Sequence, residues 1–507
     1  MYNFFWVIKF ILFNKKNYKK KENANIVLVE LFNYKASIIS NGIFASELSK
    51  KFNAKIIGYE PNFSNIKKKI KIFLYKLNFF SHYNLYKSYG FSDLIIPKNN
   101  INLDRANAIF KKLKKKINSK KDILNIKIDN VLIGDLIYDS FLRENKFFTI
   151  DYKSKIFQDY LLYCIKLFLF WSDYFKYNKV KGLIVSHSVY LTAIPVRIAC
   201  ALKVQVFNVG FSSVYRLTQK KPLKFSYFSE YPKIFNNLTS KTKSKLLKIS
   251  KKNLKLRLSG KKDLLYKESQ PLSEKVYSNQ NIKVNKKIIN NKKKILIAVH
   301  DFTDAPHVHG KMIFEDFFEW INFLGKKSLK FKDYEWILKL HPADHDENLQ
   351  FVEFFLKKYP TLKLLKKNTS HNEILSAGVN CVLTTYGSIA HEYPLFGVPV
   401  INAGENPHSG YKFSIHPKSL KQYNYLINNI TKIRKPYKFN NSIYEFYSMY
   451  NLVDYNLFEE LEFSEKKLNS FFIFKYFFKK YDNMLMNKVK KKYSKFINSN
   501  NRRLIKH

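Results

Sequence analysis

The chain has 507 residues, 90 of them Lys or Arg against 39 Asp or Glu, for a formal net charge of +51, while 46% of it is apolar and 17% aromatic. That apolar content excludes a disordered basic tail, because it can bury enough surface to offset chain entropy, and the length predicts two or three domains. The charge is carried almost wholly by Lys, with eight Arg, whereas groove readers of nucleic acid depend on the planar Arg fork. We therefore read solvated Lys faces and expect no nucleic-acid partner, keeping a non-enzymatic polyanion-binding protein as the alternative from another class.

In chain order, Phe4 to Phe13 is apolar but broken by Lys9 and too short to span a bilayer. With the Lys cluster from Lys15 to Lys21 it reads as a leader over 1–24, a first helix or an interfacial anchor. Ile26 to Leu31, a helix-spaced Ser40 to Lys51, and Lys55 to Gly58 then form a βαβ start. Lys-rich helices follow over Ile66 to Leu77 and Asp104 to Ile117. A strand over Asn130 to Gly134 and a helix over Leu136 to Arg143 come next. The long amphipathic stretch Lys153 to Tyr177 leads to a strand over Gly182 to Ser186, a helix over Leu191 to Leu202 and a strand over Val204 to Val209. This first domain runs over 25–270, and the polar, Asn/Lys-rich stretch 271–293 is its linker to a second.

The second domain, 294–464, repeats the alternation. Strands are expected over Lys294 to His300, Trp336 to Leu340, Leu362 to Leu365, Val379 to Thr384 and Val398 to Asn402. The intervening helices are Lys311 to Leu324, Asn348 to Tyr359, His371 to Ser376 and Ser388 to Phe396, with Lys418 to Ile430 after the last strand. The tail 465–507 is basic, aromatic and helical, and it either crosses back onto the first domain or lies on a membrane surface. The fold class is thus α/β, two Rossmann-like doubly wound domains facing a cleft, with ligands beyond the carboxyl ends of the strands. Cys164, Cys200 and Cys381 form no CxxC pair, which argues against a disulfide framework or a Cys zinc site and fits a reducing cytoplasm.

Three strand-end loops of the second domain hold the chemistry. His300 to Gly310 packs three His and two Asp into eleven residues. There Asp304, His307 and His309 are of the types that bind a metal, and the same groups can act as general base or phosphate contacts. Lys339-Leu340-His341-Pro342 ends a strand at a proline, which leaves His341 at the sheet's end. Thr385-Tyr386-Gly387-Ser388 precedes a helix whose amides, hydroxyl and dipole suit an anion, with Glu392 one turn on for ribose hydroxyls. Asn402 to Tyr411, containing His408, is again polar and permissive. In the first domain, Asp135 and Asp139 share a helix face and His187 ends a strand.

The string Thr385-Tyr386-Gly387-Ser388 through His391-Glu392-Tyr393, then Phe396 to Asn402, with Lys339 to Pro342 upstream, resembles the nucleotide-sugar half of GT-B glycosyltransferases. It is most similar to capsule and surface-polysaccharide transferases, related in pattern to Kdo and sialic-acid transferases, and the resemblance covers about Lys294 to Tyr423. It implies a metal-independent enzyme without a cofactor. His341 and Ser388 would hold the donor phosphate and Glu392 the ribose side. The base would be Asp304 or His307, or Asp135 or His187 from the first half. The implied partners are a nucleotide-sugar donor and a polysaccharide or lipid-linked acceptor. The setting is cytoplasmic, with the two basic ends on an anionic inner-membrane surface. A sugar-nucleotide epimerase of the same architecture is the alternative within enzymes.

Overall fold

The computed structural model describes residues 2–99, 102–261, 276–277, 292–341, 346–366, 369–436, 441–457, 470–480 and 483–506. Most of the expected linker 271–293, together with Pro342, lies outside the described residues. The described chain divides into two α/β units. Unit 1 takes Met1–Ser140, Asp151–Lys224 and Asp454–Lys506, and unit 2 takes Phe141–Ile150 and Phe225–Val453.

Unit 1 holds β1 (Ile26–Glu30), β2 (Lys55–Tyr59), β3 (Phe91–Ile95), β4 (Lys127–Ile128), β5 (Val131–Leu132), β6 (Val180–Val185), β7 (Gln205–Val209) and β8 (Val214–Leu217). Its main sheet runs β3-β2-β1-β6-β7-β8. All neighbours are parallel except β8, which returns antiparallel to β7. β1 is buried throughout and β7 from Val206 to Val209, as parallel strands covered on both faces must be. The strand expected over Asn130 to Gly134 is a correction: its core, β5, pairs only with β4 in a two-stranded ribbon outside the main sheet. Asp129 and Asn130 both take positive φ, 48° and 62°, which is the backbone of a two-residue hairpin turn.

The tail is part of unit 1. Helices Phe472–Lys480 and Asn483–Asn498 put Phe474, Phe477, Val489, Tyr493 and Phe496 into the same core as Val7 and Phe10 of helix Tyr2–Asn17 and Ile43 and Phe44 of helix Lys35–Phe52. Arg216 on β8 fastens its end. Its Nη2 donates to the carbonyls of Phe496, Ile497 and Ser499 at 3.0, 3.2 and 2.9 Å, and its guanidinium lies 4.6 Å from the Phe207 ring centroid. Charged hydrogen bonds to helix-end carbonyls are the stronger kind. Arg216→Ala is therefore expected to cost about 2–3 kcal/mol and to expose residues 483–506 to protease before the rest of the chain, as read by thermal melting and limited proteolysis.

Unit 2 holds β9 (Lys293–Ala298), β10 (Tyr334–Lys339), β11 (Leu362–Leu364), β12 (Val379–Thr384) and β13 (Val400–Asn402), in the order β11-β10-β9-β12-β13, every pair parallel. Period-2 alternation sorts its core. Ile295, Ile297, Trp336, Leu338, Cys381, Leu383 and Ile401 face one layer, with Trp320 and Phe355 from helices Phe317–Lys330 and Asp346–Lys358. The residues between them, Leu296, Ile337, Val382 and Val400, face the other layer with Ile374 and Ala390. Both units are Rossmann-like, doubly wound sheets.

The helix expected from Lys311 starts instead at Phe317, because Asp316 caps it: Oδ1 accepts from the Glu319 amide at 2.8 Å and Oδ2 from Thr149 Oγ1 at 2.7 Å. The helix expected over Ser388 to Phe396 is a single α turn, Ile389–Glu392, that tightens into a 3₁₀ segment, Tyr393–Phe396, and ends at Gly397 with φ 75°. Pro394 removes the amide that would continue the α pattern.

Candidate functional site

In unit 2, the chain leaves β9 toward β10 on one side, while β12 joins on the other. Loops following β9 and β12 therefore diverge at the switch point, where open parallel sheets hold ligands. The loops after β9, β10 and β12 meet there. The His300 ring centroid lies 5.4 Å from His341 and 4.4 Å from Tyr386, and His309 stacks edge-on to Tyr386 at 4.6 Å. Tyr386 Oη donates to the Ala305 carbonyl at 3.2 Å, which ties the third loop to the first.

Asp304 receives Arg143 Nη1 at 3.3 Å on Oδ1 and lies 3.4 Å from His300 Nε2 through Oδ2. Asp301 sets the turn beneath: its Oδ1 accepts from the Thr303 amide and hydroxyl and from Asn348 Nδ2. Burial, with His300 nearby, pulls the His341 imidazole down to about 4 against Asp301 and Asp304, so it is neutral at pH 7 and can donate one N–H. The same causes pull His309 to about 3. Ser388 is exposed and its side chain caps nothing, and the amides of Gly387 and Ser388 meet no acceptor among the described residues. With one α turn behind them, attraction for an anion there comes from these N–H groups and hardly from a helix dipole.

Asp304, His341, Tyr386, Gly387 and Ser388 are thus brought together at the strand ends. His307 is buried in the first loop. Glu392, Asn402 and His408 lie deeper. Glu392 is 1% exposed, with Oε1 on Arg257 Nε and Oε2 on the Tyr277 hydroxyl, both at 2.7 Å. Burial alone would raise its carboxyl; Arg257, His391 and the Tyr277 hydroxyl outweigh it and hold the group at about 2. Asn402 Nδ2 donates to the Ile415 carbonyl at 3.2 Å. His408 Nε2 lies 3.0 Å from His391 Nδ1 and its ring packs on Phe446.

In unit 1, Asp135 is ion-paired with Arg197, Asp139 is buried, and His187 is exposed with its ring against Phe32. The residue that sequence reasoning passed over is Glu30, the last residue of β1 at the β1–β6 switch point. It is buried and its Oε2 accepts from the Ser186 amide at 2.6 Å. Burial pushes its carboxyl up to about 7, although the Ser186 and His187 amides pull the other way. Its signal was a carboxylate closing an apolar run. In unit 2 the unselected residues are His300, two positions after its strand, and Arg143 and Arg257, which reach their partners across 161 and 135 positions.

No protein-family model matches the chain, and no curated protein matches it. Among solved structures it is similar to the Thermosulfurimonas dismutans KpsC β-Kdo 2,7 transferase, at 14% identity over 53% of this chain and 75% of that one, TM-score 0.32. The β-Kdo 2,4 transferase of the same organism follows at 11% over 54% and 79%, TM-score 0.31. The Methanocaldococcus jannaschii UDP-GlcNAc 2-epimerase in complex with UDP-GlcNAc and UDP matches at 11% over 83% and 97%, TM-score 0.27. With TM-scores this low, the architecture rests on the two parallel sheets themselves. No described helix is long and apolar enough to cross a membrane.

Proposed function

We propose that the chain is a GT-B glycosyltransferase that moves a sugar from a nucleotide-sugar donor to a surface polysaccharide or lipid-linked acceptor. The observation that carries this reading is the convergence of His300, His341 and Tyr386 from three strand ends beside the Gly387 and Ser388 amides. In this proposal the His341 N–H and the two amides hold the donor's phosphate and stabilise the charge that develops as the nucleotide leaves. His300 takes the acceptor hydroxyl's proton, and Asp304 holds its ring in position. Burial of His341 favours a neutral donor that becomes cationic only when phosphate charge arrives, so nucleotide affinity is expected to rise as pH falls from 7.5 toward 5.5.

The test is a product assay with UDP-, CMP-, GDP- and CDP-linked sugars, with and without lipid-linked and oligosaccharide acceptors. Acceptor-dependent release of nucleotide, lost in His300→Ala, is the expected result. An isomerised nucleotide-sugar formed without acceptor would make the chain an epimerase and overturn the transfer reading.

A further inference from the structure

Helix Ile66–Leu77 of unit 1 is inverted relative to an ordinary surface helix. Ile72 is buried and Tyr75 half-buried, whereas Ile66, Phe73 and Leu77 are 75%, 61% and 68% exposed, with Ile70 and Leu74 exposed between them. At 3.6 residues per turn these five side chains form one stripe about 100° wide. Lys67 and Lys71 border it on one side and Lys69 and Lys76 on the other, all exposed, and the helix contains no acidic residue.

A second exposed apolar stripe lies on a helix whose start touches the chain just beyond the first. Helix Tyr2–Asn17 buries Val7 and Phe10 but turns Phe5 (58% exposed), Leu12 (60%) and Ile8 outward, beside exposed Lys9, Lys15 and Lys16 and again without an acidic residue. Phe4 of this helix packs on Phe80, just beyond the first, with ring centroids 4.4 Å apart. Patches of this extent on a soluble surface mark an interaction site. The flanking cations on both edges of the stripe select the partner by charge. A protein partner would be expected to meet a broad apolar face with a less one-sided rim.

We infer that the stripe from Ile66 to Leu77, extended by Phe5, Ile8 and Leu12, is a docking surface for an anionic lipid bilayer, the apolar residues entering the acyl boundary while the lysines meet the headgroups. The basic tail does not provide this surface, since Phe474, Phe477, Val489 and Phe496 are spent on the core of unit 1.

The experiment is flotation of the full chain with vesicles of phosphatidylcholine alone and of phosphatidylcholine mixed with phosphatidylglycerol. Both are run for wild type and for Phe73→Asp/Leu74→Asp, whose exposed positions leave the melting transition in place. Wild type should float with the anionic vesicles, and the double variant should bind at least about tenfold more weakly. Phe73→Trp should show a blue-shifted emission on the same vesicles. Equal flotation of wild type and double variant, or none for wild type, overturns the proposal. So does a wild-type dimer that the double variant converts to monomer without any vesicle binding, which would give the stripe to a second copy of the chain.

Discussion

Arg257→Ala is expected to destabilise unit 2 by about 3–5 kcal/mol. The reason is the position of Glu392: almost no part of it reaches water, and its charge is compensated by the Arg257 guanidinium and the Tyr277 hydroxyl. Removing the cation leaves a buried carboxylate that must either remain charged at high cost or take up a proton. Because its folded pKa is held below the ordinary 4.5, the pair's contribution is complete above that value and is lost only as pH falls from 4.5 toward 2. In Arg257→Ala that dependence moves to higher pH, since burial is then opposed only by the Tyr277 hydroxyl and the neighbouring histidines. Replacing both partners with apolar residues of similar volume should restore most of the loss. Denaturant titration of the two variants checks this. It also bears on Glu392 as a ribose contact: a Glu392→Gln protein that keeps its stability and loses only nucleotide affinity would support that role.

The second large effect is acid unfolding of unit 2 well before the carboxylates titrate. Burial pulls His371 to about 3 and His391 to about 4, and pushes His408 well below the ordinary 6.5. The folded state therefore holds these rings neutral. Stability is complete above about 6.5 and falls as pH drops toward 4, because the unfolded chain binds the protons first. Each ring costs up to about 1.4 kcal/mol per pH unit in that window; these three give about 4 kcal/mol per unit, and His309 and His341, held low in the same unit, add to that slope. His371 also shows why the rings stay buried: its Nδ1 lies 2.8 Å from the Tyr393 hydroxyl. Calorimetry from pH 8 to 4.5 should show a plateau above 7 and a steep decline below 6.5, with the slope reduced by about one proton in His371→Asn. A melting temperature flat across that range would contradict the assignment of neutral buried imidazoles.

How much of this was legible depended on where each residue sits in the sheet. β1, β7 and the inner strands β9 and β10 read correctly because a parallel strand covered on both faces carries a short apolar run. The edge strands β3 and β8 did not: Ser92 and Asp93 interrupt one and Arg216 the other, and neither is set off by flanking helices with a clear apolar period as the edge strand β11 is. Helix Phe317–Lys330 was placed too early because its cap, Asp316, is fixed partly by Thr149, far away in the sequence. The same limit governed the site. His341 and Ser388 announce themselves by following strands, whereas Arg143 and Arg257 matter only through partners that folding brings to them. The net charge of +51, the most conspicuous property of the sequence, enters the proposed bilayer contact only through the lysines that border an apolar stripe.

The central claim is that a nucleotide-sugar sits against the strand ends of unit 2, and thermal-shift titration with CMP-, UDP-, GDP- and CDP-linked donors tests it most directly. One donor class should raise the melting temperature of the wild type, and that shift should vanish in His341→Ala while the unliganded melting temperature stays within a few degrees. A shift that persists undiminished in His341→Ala, or no response of the wild type to any of the four, would contradict the account.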